Sequence, residues 1–373
     1  MFFYYGLAVI AAALVYLAGW FEQRKNLLLA ITLYISAVAV LCYFAGARDI
    51  HVGTDTSNYA LMSYRAASTQ TFESFWFRSA YSAWAPLYKM FCWVIVNVAR
   101  SFSVYLFSIE LLIVLPVVIV ARKMLRNYCW LAILIFGIVF YPMSFNMMRQ
   151  MIAMGYLLLA LVAAMNKRFW YYLVWLVISI GFHTTAIVGV LFYPLVLFAQ
   201  SQSLGTAIKI IVIFIAGIVF VAAAPTLIAL LAGEHYQAYI GEGIMSLAGG
   251  VRMPLLTSLL TILIGVFGWL FTRSNALEKE RLASIVEMTI VFIFGVACLA
   301  LSIVSFYLYR IGFFFMYVSI LLLPLICSSI EDRYTRYSMI LVVVSGLAIW
   351  SFDYYVIEQS HEVIPYAMSK IHL

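Results

Sequence analysis

The chain has 373 residues, of which 66% are hydrophobic and only 10% are charged, and its formal net charge is +7. Soluble domains carry roughly 25% charged residues, so this composition excludes an ordinary soluble protein. Its solvent must be largely lipid, which predicts an all-α polytopic membrane protein. The basic residues form short clusters between apolar runs, as in membrane-protein loops, and this distribution argues against a nucleic-acid partner. No polar stretch is long enough for a soluble domain, so we expect a single transmembrane domain over residues 1–373.

Several kinds of chemistry lack a signal in the sequence. The five cysteines lie in or beside apolar runs, at no metal-ligand spacing, and predict neither a zinc site nor a disulfide framework. There is no nucleotide-binding glycine loop, no His-Glu-x-x-His and no Gly-x-Ser-x-Gly elbow, so neither an ATPase nor a nicotinamide enzyme is indicated. The first apolar run follows Met1 without a basic segment or a cleavage site, which predicts a retained helix. The cysteines are Cys42, Cys92, Cys129, Cys298 and Cys327.

Apolar runs between polar breaks predict about twelve spanning helices, since a bilayer core requires about 20 apolar residues per helix. The run 169–182 is short for a span. The expected spans are 2–20, 26–46, 102–121, 128–145, 147–165, 169–182, 184–199, 206–232, 254–272, 285–307, 311–330 and 338–356.

A further apolar run, 83–98, is short, contains Pro86 at its start and carries Lys89. If this run does not cross, the basic clusters at 24–25, 122–126 and 167–168 all face the cytoplasm. If it crosses, the two later clusters face outwards, which the positive-inside rule disfavours. We therefore predict a re-entrant or interfacial helix near 83–98, within an outer loop at 47–101. A second outer loop is expected at 233–253.

This orientation places an arginine or histidine at the start of four helices that begin on the outer side. These residues are Arg149, His183, Arg252 and Arg310. A cation at the positive end of a helix dipole is mildly unfavourable, by about 0.3–1 kcal/mol. A bound anion makes this arrangement favourable, because helix N-termini and arginine both bind phosphate. The pattern predicts a phosphate-bearing ligand on the outer side.

The first outer loop contains a second candidate, Asp55. Its carboxylate either caps the helix that begins near Ser57 or acts in a site. It is also a candidate partner for Arg310. Gly53 beside it supplies backbone freedom.

The cationic candidates have structural interpretations as well. Arg149 is alternatively an interfacial arginine with its head in the headgroup region, and His183 a hydrogen-bonded structural histidine. Arg252 is equally a loop charge. Arg310 is alternatively paired with Glu110, which lies within a span as an ion-pair partner or a site residue.

Five segments occur in an order that resembles one known family. They are Gly53-Thr54-Asp55 with Tyr59 and Tyr64, then Asn146-Met147-Met148-Arg149-Gln150-Met151-Ile152-Ala153, the basic turn Asn166-Lys167-Arg168-Phe169 leading to Phe182-His183, Arg310 before an aromatic run, and Ile364-Pro365-Tyr366. Together they resemble the EpsG family of Wzy-type polymerases. Two departures are Thr184-Thr185, where small hydroxyl or alanine residues are usual, and Ala85, where an acidic residue usually precedes the proline.

The resemblance implies a GT-C-like fold and a polysaccharide polymerase of the bacterial cytoplasmic membrane. Its donor and acceptor would be oligosaccharide repeat units linked to undecaprenyl diphosphate, joined on the periplasmic or outer face, as in O-antigen or exopolysaccharide synthesis. It implies no cofactor, metal or nucleotide sugar, and it implies membrane lipid, a chain-length regulator and a flippase as partners.

Roles follow for the candidate residues. Arg149 and Arg310, with Arg252, hold the diphosphate, and His183 or Asp55 orients or deprotonates the attacking hydroxyl. The remaining candidates are substrate-binding residues: Gly53, Tyr59, Tyr64 and Gln150.

Three other functions remain open at this point. A lipid-linked glycan ligase uses the same donor, but the small loop 233–253 does not favour it. A transporter or flippase of an anionic lipid-linked solute predicts broken helices at corresponding positions in two repeated halves of the chain. Pro116, Pro225 and Pro324 do not occupy such corresponding positions. A non-catalytic assembly factor does not require arginines at outward helix ends.

Overall fold

The computed structural model describes residues 1–201, 204–231, 279–299 and 310–369. These residues contain no strand beyond one isolated bridge between Arg48 and Met368, so the all-α prediction is confirmed for them. The chain forms two compact units. The first comprises Met1–Ala160, Trp170–Ile187 and Val344–Leu373, and the second comprises Leu161–Phe169 and Val188–Val343. That the two units act as one transmembrane domain stays a prediction.

Fifteen α-helices lie within the described residues. In chain order they are α1 (Phe2–Gln23), α2 (Leu27–Gly46), α3 (Met62–Thr69), α4 (Pro86–Ala99), α5 (Phe102–Leu125), α6 (Cys129–Ile135), α7 (Tyr141–Ser144), α8 (Met148–Met165), α9 (Phe169–Phe182), α10 (Phe192–Gln200), α11 (Thr206–Leu231), α12 (Lys279–Cys298), α13 (Arg310–Met316), α14 (Ser319–Ser328) and α15 (Arg333–Phe352). Wider π-helical turns occur at Thr56–Leu61, Ser74–Arg78, Phe136–Phe140 and Asp353–Ile357, and tighter 3₁₀ turns at Arg126–Tyr128, Thr184–Leu191 and Ser360–Glu362.

Seven helical stretches among the described residues are long and apolar enough to cross a membrane. They are Phe2–Gln23, Leu27–Gly46, Phe102–Ser144, Met148–Met165, Glu280–Cys298, Arg310–Ser328 and Arg333–Ile357. The protein is therefore a multi-pass membrane protein. The expected total of about twelve spans and the GT-C-like arrangement stay predictions, and the expected span 254–272 lies outside the described residues.

The stretch Phe102–Ser144 contains the two expected spans 102–121 and 128–145, joined by a sharp turn at Arg126, whose φ is 44°. At the turn, Gln23 Nε2 donates to Asn127 Oδ1 (2.6 Å). At the other end, the hydroxyl of Tyr141 donates to the carbonyl of Leu41 (2.7 Å). Because these contacts lie at opposite ends of the α1–α2 hairpin, the stretch Phe102–Ser144 is itself a helical hairpin.

Small residues let the helices of the first unit approach closely. A Cβ on Gly46 would lie 2.8 Å from the carbonyl oxygen of Ser103, and one on Gly137 would lie 2.5 Å from the Cβ of Ala8. Lipid provides no hydrophobic force between helices, so close backbone packing of this kind holds membrane helices together. This close packing holds the last residue of α2 against the first turn of α5.

The second unit packs in the same way. A Cβ on Gly295 in α12 would lie 2.6 Å from the Cβ of Phe315 in α13, and the ring of Phe294 meets that of Phe315 edge to face at 4.9 Å. A polar contact joins α10 to α12: Gln200 Nε2 donates to Glu287 Oε1 at 2.8 Å.

Helix α4 corresponds to the run that we expect not to cross. Pro86 stands at its first turn, and its 14 residues span about 21 Å at 1.5 Å per residue, less than a bilayer core of about 30 Å. Tyr88, Lys89 and Cys92 face the protein and are buried. The ammonium of Lys89 donates to the carbonyl of Ser82 (2.7 Å), so this charge is satisfied inside the protein.

Reporter fusions test this topology. We expect alkaline phosphatase fused after Arg100 to be active and green fluorescent protein at the same point to be dark, because α4 returns to the outer side. The same reporters fused after Arg126 are the control and should give the opposite pair of signals, since α5 crosses between the two points. A fluorescent fusion after Arg100 would show that α4 crosses the membrane.

Candidate functional site

Arg149, the second residue of α8, is half-buried among aromatic rings from two other segments. Its guanidinium carbon lies 4.1 Å from the ring centre of Trp84 and 5.9 Å from those of Tyr59 and Tyr88. A guanidinium within about 6 Å of an aromatic face is held by the ring quadrupole. We call these four residues the Arg149 cluster. It fixes a cation at one end of the first unit.

Tyr88 connects the Arg149 cluster to Asp55. It is buried, and its hydroxyl lies 2.9 Å from that of Tyr105. Burial raises the pKa of Tyr88; the Arg149 guanidinium acts to lower this pKa and the Asp55 carboxylate to raise it. Both charges are therefore within electrostatic range of one hydroxyl, and the structure brings together two residues that the sequence analysis proposed for catalysis.

The loop that carries Asp55 is held tightly against the start of α8. Gly53 has φ +85°, and a Cβ at this position would overlap Phe145. The expectation that the backbone here requires the freedom of glycine is confirmed. The hydroxyl of Thr54 donates to the Oδ1 of Asn146. Asp55 directly precedes the helical turn Thr56–Leu61, but its side chain makes no cap hydrogen bond. The capping interpretation is therefore wrong, because Asp55 already has helical backbone angles, whereas an N-cap residue has non-helical ones.

His183 lies at the end of α9, whose packing places it at the same end of the first unit. Ser179 Oγ donates to the carbonyl of Ala153 (2.8 Å), which fixes α9 against α8. A Cβ on Gly181 would lie 2.5 Å from the side chain of Leu87, so α9 ends beside the start of α4. His183 follows two residues later and is half-exposed.

Arg48 is a buried cation that the sequence analysis did not single out. Its side chain donates to Thr56 Oγ1 (3.0 Å) and the carbonyl of Ala45 (2.5 Å), and lies over the ring of Phe145 at 4.3 Å. Burial lowers the pKa of Arg48, and the Glu110 carboxyl opposes this. Its position directly after a span, on the side that the sequence predicts to be outer and against the positive-inside rule, was the available signal.

Glu110 accepts a hydrogen bond from Ser144 Oγ (2.8 Å) and is fully buried. No ion pair of Glu110 is found among the described residues, so it is not a direct ion-pair partner there. The contact with the Ser144 hydroxyl makes Glu110 a buried polar group of α5.

The other candidates are placed as follows. Tyr64 packs edge-on against Phe102 (5.4 Å) and lies 6.2 Å from Tyr105. Gln150 is buried beside Arg149. Arg310 begins α13 in the second unit. Arg252 and the expected loop 233–253 lie outside the described residues. Within the described part of the chain, no three His, Cys, Asp or Glu side chains group as a metal site.

Comparisons with known proteins identify a family. A sequence profile of the EpsG family matches residues 31–368, nearly the whole chain. No curated protein matches, and no solved structure matches. The profile match confirms the resemblance carried by the five segments.

Proposed function

Since this chain belongs to the EpsG family, a family of Wzy-type polymerases, we propose that it joins oligosaccharide repeat units carried on undecaprenyl diphosphate. The reaction takes place on the periplasmic or outer face of the bacterial cytoplasmic membrane. The growing chain moves from its carrier to the non-reducing end of the next unit. Both substrates bring a diphosphate to the membrane surface, so the protein requires a cationic site at that depth.

The observation that carries the proposal is the environment of the Arg149 guanidinium. Its charge is half-buried among rings, and no carboxylate among the described residues forms an ion pair with it. Withdrawing a cation from water is costly unless an anion compensates. Arginine is suited to bidentate contact with phosphate oxygens, and α8 adds the positive end of its dipole. A diphosphate satisfies these requirements together.

The proposed reaction balances as a glycosyl transfer. A sugar hydroxyl of the acceptor forms a bond to the anomeric carbon of the donor, and the bond from that carbon to the diphosphate oxygen breaks. The electron pair leaves with the diphosphate, where Arg149 stabilises the developing charge. The hydroxyl proton passes to Asp55 or His183, a step worth about 10²–10⁴-fold in typical enzymes.

Gly53, Tyr59, Tyr64 and Gln150 complete the proposed site. Tyr59 is 47% exposed, so its ring is available to a sugar face beside the diphosphate. We propose no cofactor, because the diphosphate is itself the activated leaving group. A flippase that supplies the lipid-linked units and a regulator of chain length are the expected partners.

Deleting the gene and restoring it tests this function. We expect the deletion strain to carry single repeat units at its surface, and wild-type protein to restore a ladder of polymer on a gel. A lipid-linked glycan ligase predicts instead that polymer accumulates on its lipid carrier without transfer to its acceptor, and a flippase predicts that no unit reaches the surface. An unchanged glycan on deletion would contradict the polymerase proposal.

A further inference from the structure

The C-terminal segment, residues 358–369, runs along the Asp55 loop, residues 47–58. The amide of Asp49 donates to the carbonyl of Ala367 (2.8 Å), and the amide of Gly53 donates to that of Glu362 (2.9 Å). In return, the amide of Ser369 donates to the carbonyl of Ala47 (2.8 Å). Since three backbone hydrogen bonds spread along the loop, the segment holds it over most of its length.

His361 lies at the centre of this contact and connects it to α8. Its Nδ1 accepts from Asn146 Nδ2, and its Nε2 lies 3.0 Å from the hydroxyl of Tyr354. Asn146 in turn accepts from Thr54 through Oδ1. Asn146 stands three residues before Arg149, and Thr54 directly precedes Asp55. One chain of side chains thus joins the C-terminal segment to both parts of the proposed site.

The side-chain amide of Asn146 makes two different contacts. Its Oδ1 accepts from Thr54, and its NH₂ group donates to Nδ1 of His361. The hydroxyl of Tyr354 lies beside Nε2. A side chain without an acceptor at the Nδ1 position would leave the amide of Asn146 without its orientation.

The backbone around His361 is strained. Gln359, His361 and Glu362 have φ values of 51°, 72° and 53°, in the left-handed region that side chains other than glycine seldom adopt. Such residues are energetically unfavourable and cluster where the surrounding structure requires a defined geometry. The strain therefore marks His361 as a residue whose position is imposed.

We infer that His361 is a positioning residue: through Asn146 and Thr54 it fixes the Asp55 loop against the start of α8, where Arg149 lies. The inference rests on the proposed function, because it assigns His361 a role in that same site. His361 itself need not touch the substrate. Its removal should leave the diphosphate site in place and misalign Asp55, which lowers turnover more than substrate affinity.

Kinetics on the purified full-length protein test this inference. The probe is the lipid-linked single repeat unit extracted from the deletion strain. We expect His361→Phe to lower kcat by about 10- to 100-fold, as small misplacements do, while KM changes by less than about threefold. His361→Gln, whose carbonyl is able to accept from Asn146, should recover most of the loss. Combining His361→Phe with Asn146→Ala should cost no more than either change alone, since both break one chain.

His51→Phe is the matched control, because His51 is exposed in the same loop and the chemical change is identical; its kinetics should equal wild type. Wild-type kinetics for His361→Phe, with Arg149→Ala inactive, would overturn the inference and leave the proposed function intact. Wild-type activity for both would remove both residues from the mechanism, whereas a wild-type protein inactive on this probe would overturn the function. If His361→Phe is lost from the membrane, Asn146→Ala decides: a tenfold loss of kcat supports the inference, and an unchanged kcat overturns it.

Discussion

Replacing Arg149 with alanine should abolish the polymer ladder and leave single repeat units at the surface. The change removes the guanidinium from the Arg149 cluster and retains the rings of Trp84 and Tyr88, which stand on a separate segment. Losing one group that stabilises developing charge in a poorly hydrated site costs about 10²–10³-fold in rate. The measurement is a gel of surface glycan from the deletion strain that carries the variant, with membrane levels matched by immunoblot.

Two further variants make this experiment specific. Arg149→Lys retains the charge but loses the planar fork that contacts two phosphate oxygens, so short polymers are expected. Arg65→Ala is the matched control, because Arg65 is exposed on α3 and removing it should leave the ladder unchanged. A full-length ladder from Arg149→Ala at wild-type levels would remove Arg149 from the mechanism.

Much of the fold could be predicted from hydropathy because lipid imposes a simple rule on the backbone. The first helix, the α1–α2 hairpin and the paired spans 102–121 and 128–145 all followed from apolar length and basic turns. The basic turn was visible in Arg122 and Arg126. Arg149 was singled out on a separate ground, since a cation at the start of a helix opposes the helix dipole.

The geometry of the site could not be predicted, because it depends on contacts between distant parts of the chain. Nothing in the sequence indicates that Trp84, rather than another of the nine tryptophans, stacks on Arg149. His361 and Asn146 are 215 positions apart, and the sequence analysis noticed the neighbouring Ile364-Pro365-Tyr366 instead. The capping interpretation of Asp55 failed for a related reason: tertiary contacts of Thr54 and Gly53 set the loop, and local propensity did not.

Gly53→Ala should destabilise the protein more than the addition of one methyl group suggests. The φ of +85° is unfavourable for any residue with a Cβ, by about 1–2 kcal/mol. The added carbon would also lie 2.5 Å from the carbonyl oxygen of Phe145 and 2.9 Å from its Cβ. Phe145 is buried beneath the guanidinium of Arg48, so it cannot move aside at low cost. We expect a clearly lower melting temperature of the purified protein in detergent.

The same substitution should remove activity before it removes the fold. Relieving the overlap requires the Asp55 loop to lift from Phe145, which breaks the hydrogen bond from Gly53 to Glu362 and moves Asp55 away from Tyr88. Gly6→Ala is the matched control: no atom lies within 4 Å of its added carbon, and alanine favours an exposed helix by about 1 kcal/mol, so the melting temperature should hold or rise. A Gly53→Ala protein with wild-type melting temperature and a full ladder would show that the loop tolerates the displacement, and that Asp55 is not held there for catalysis.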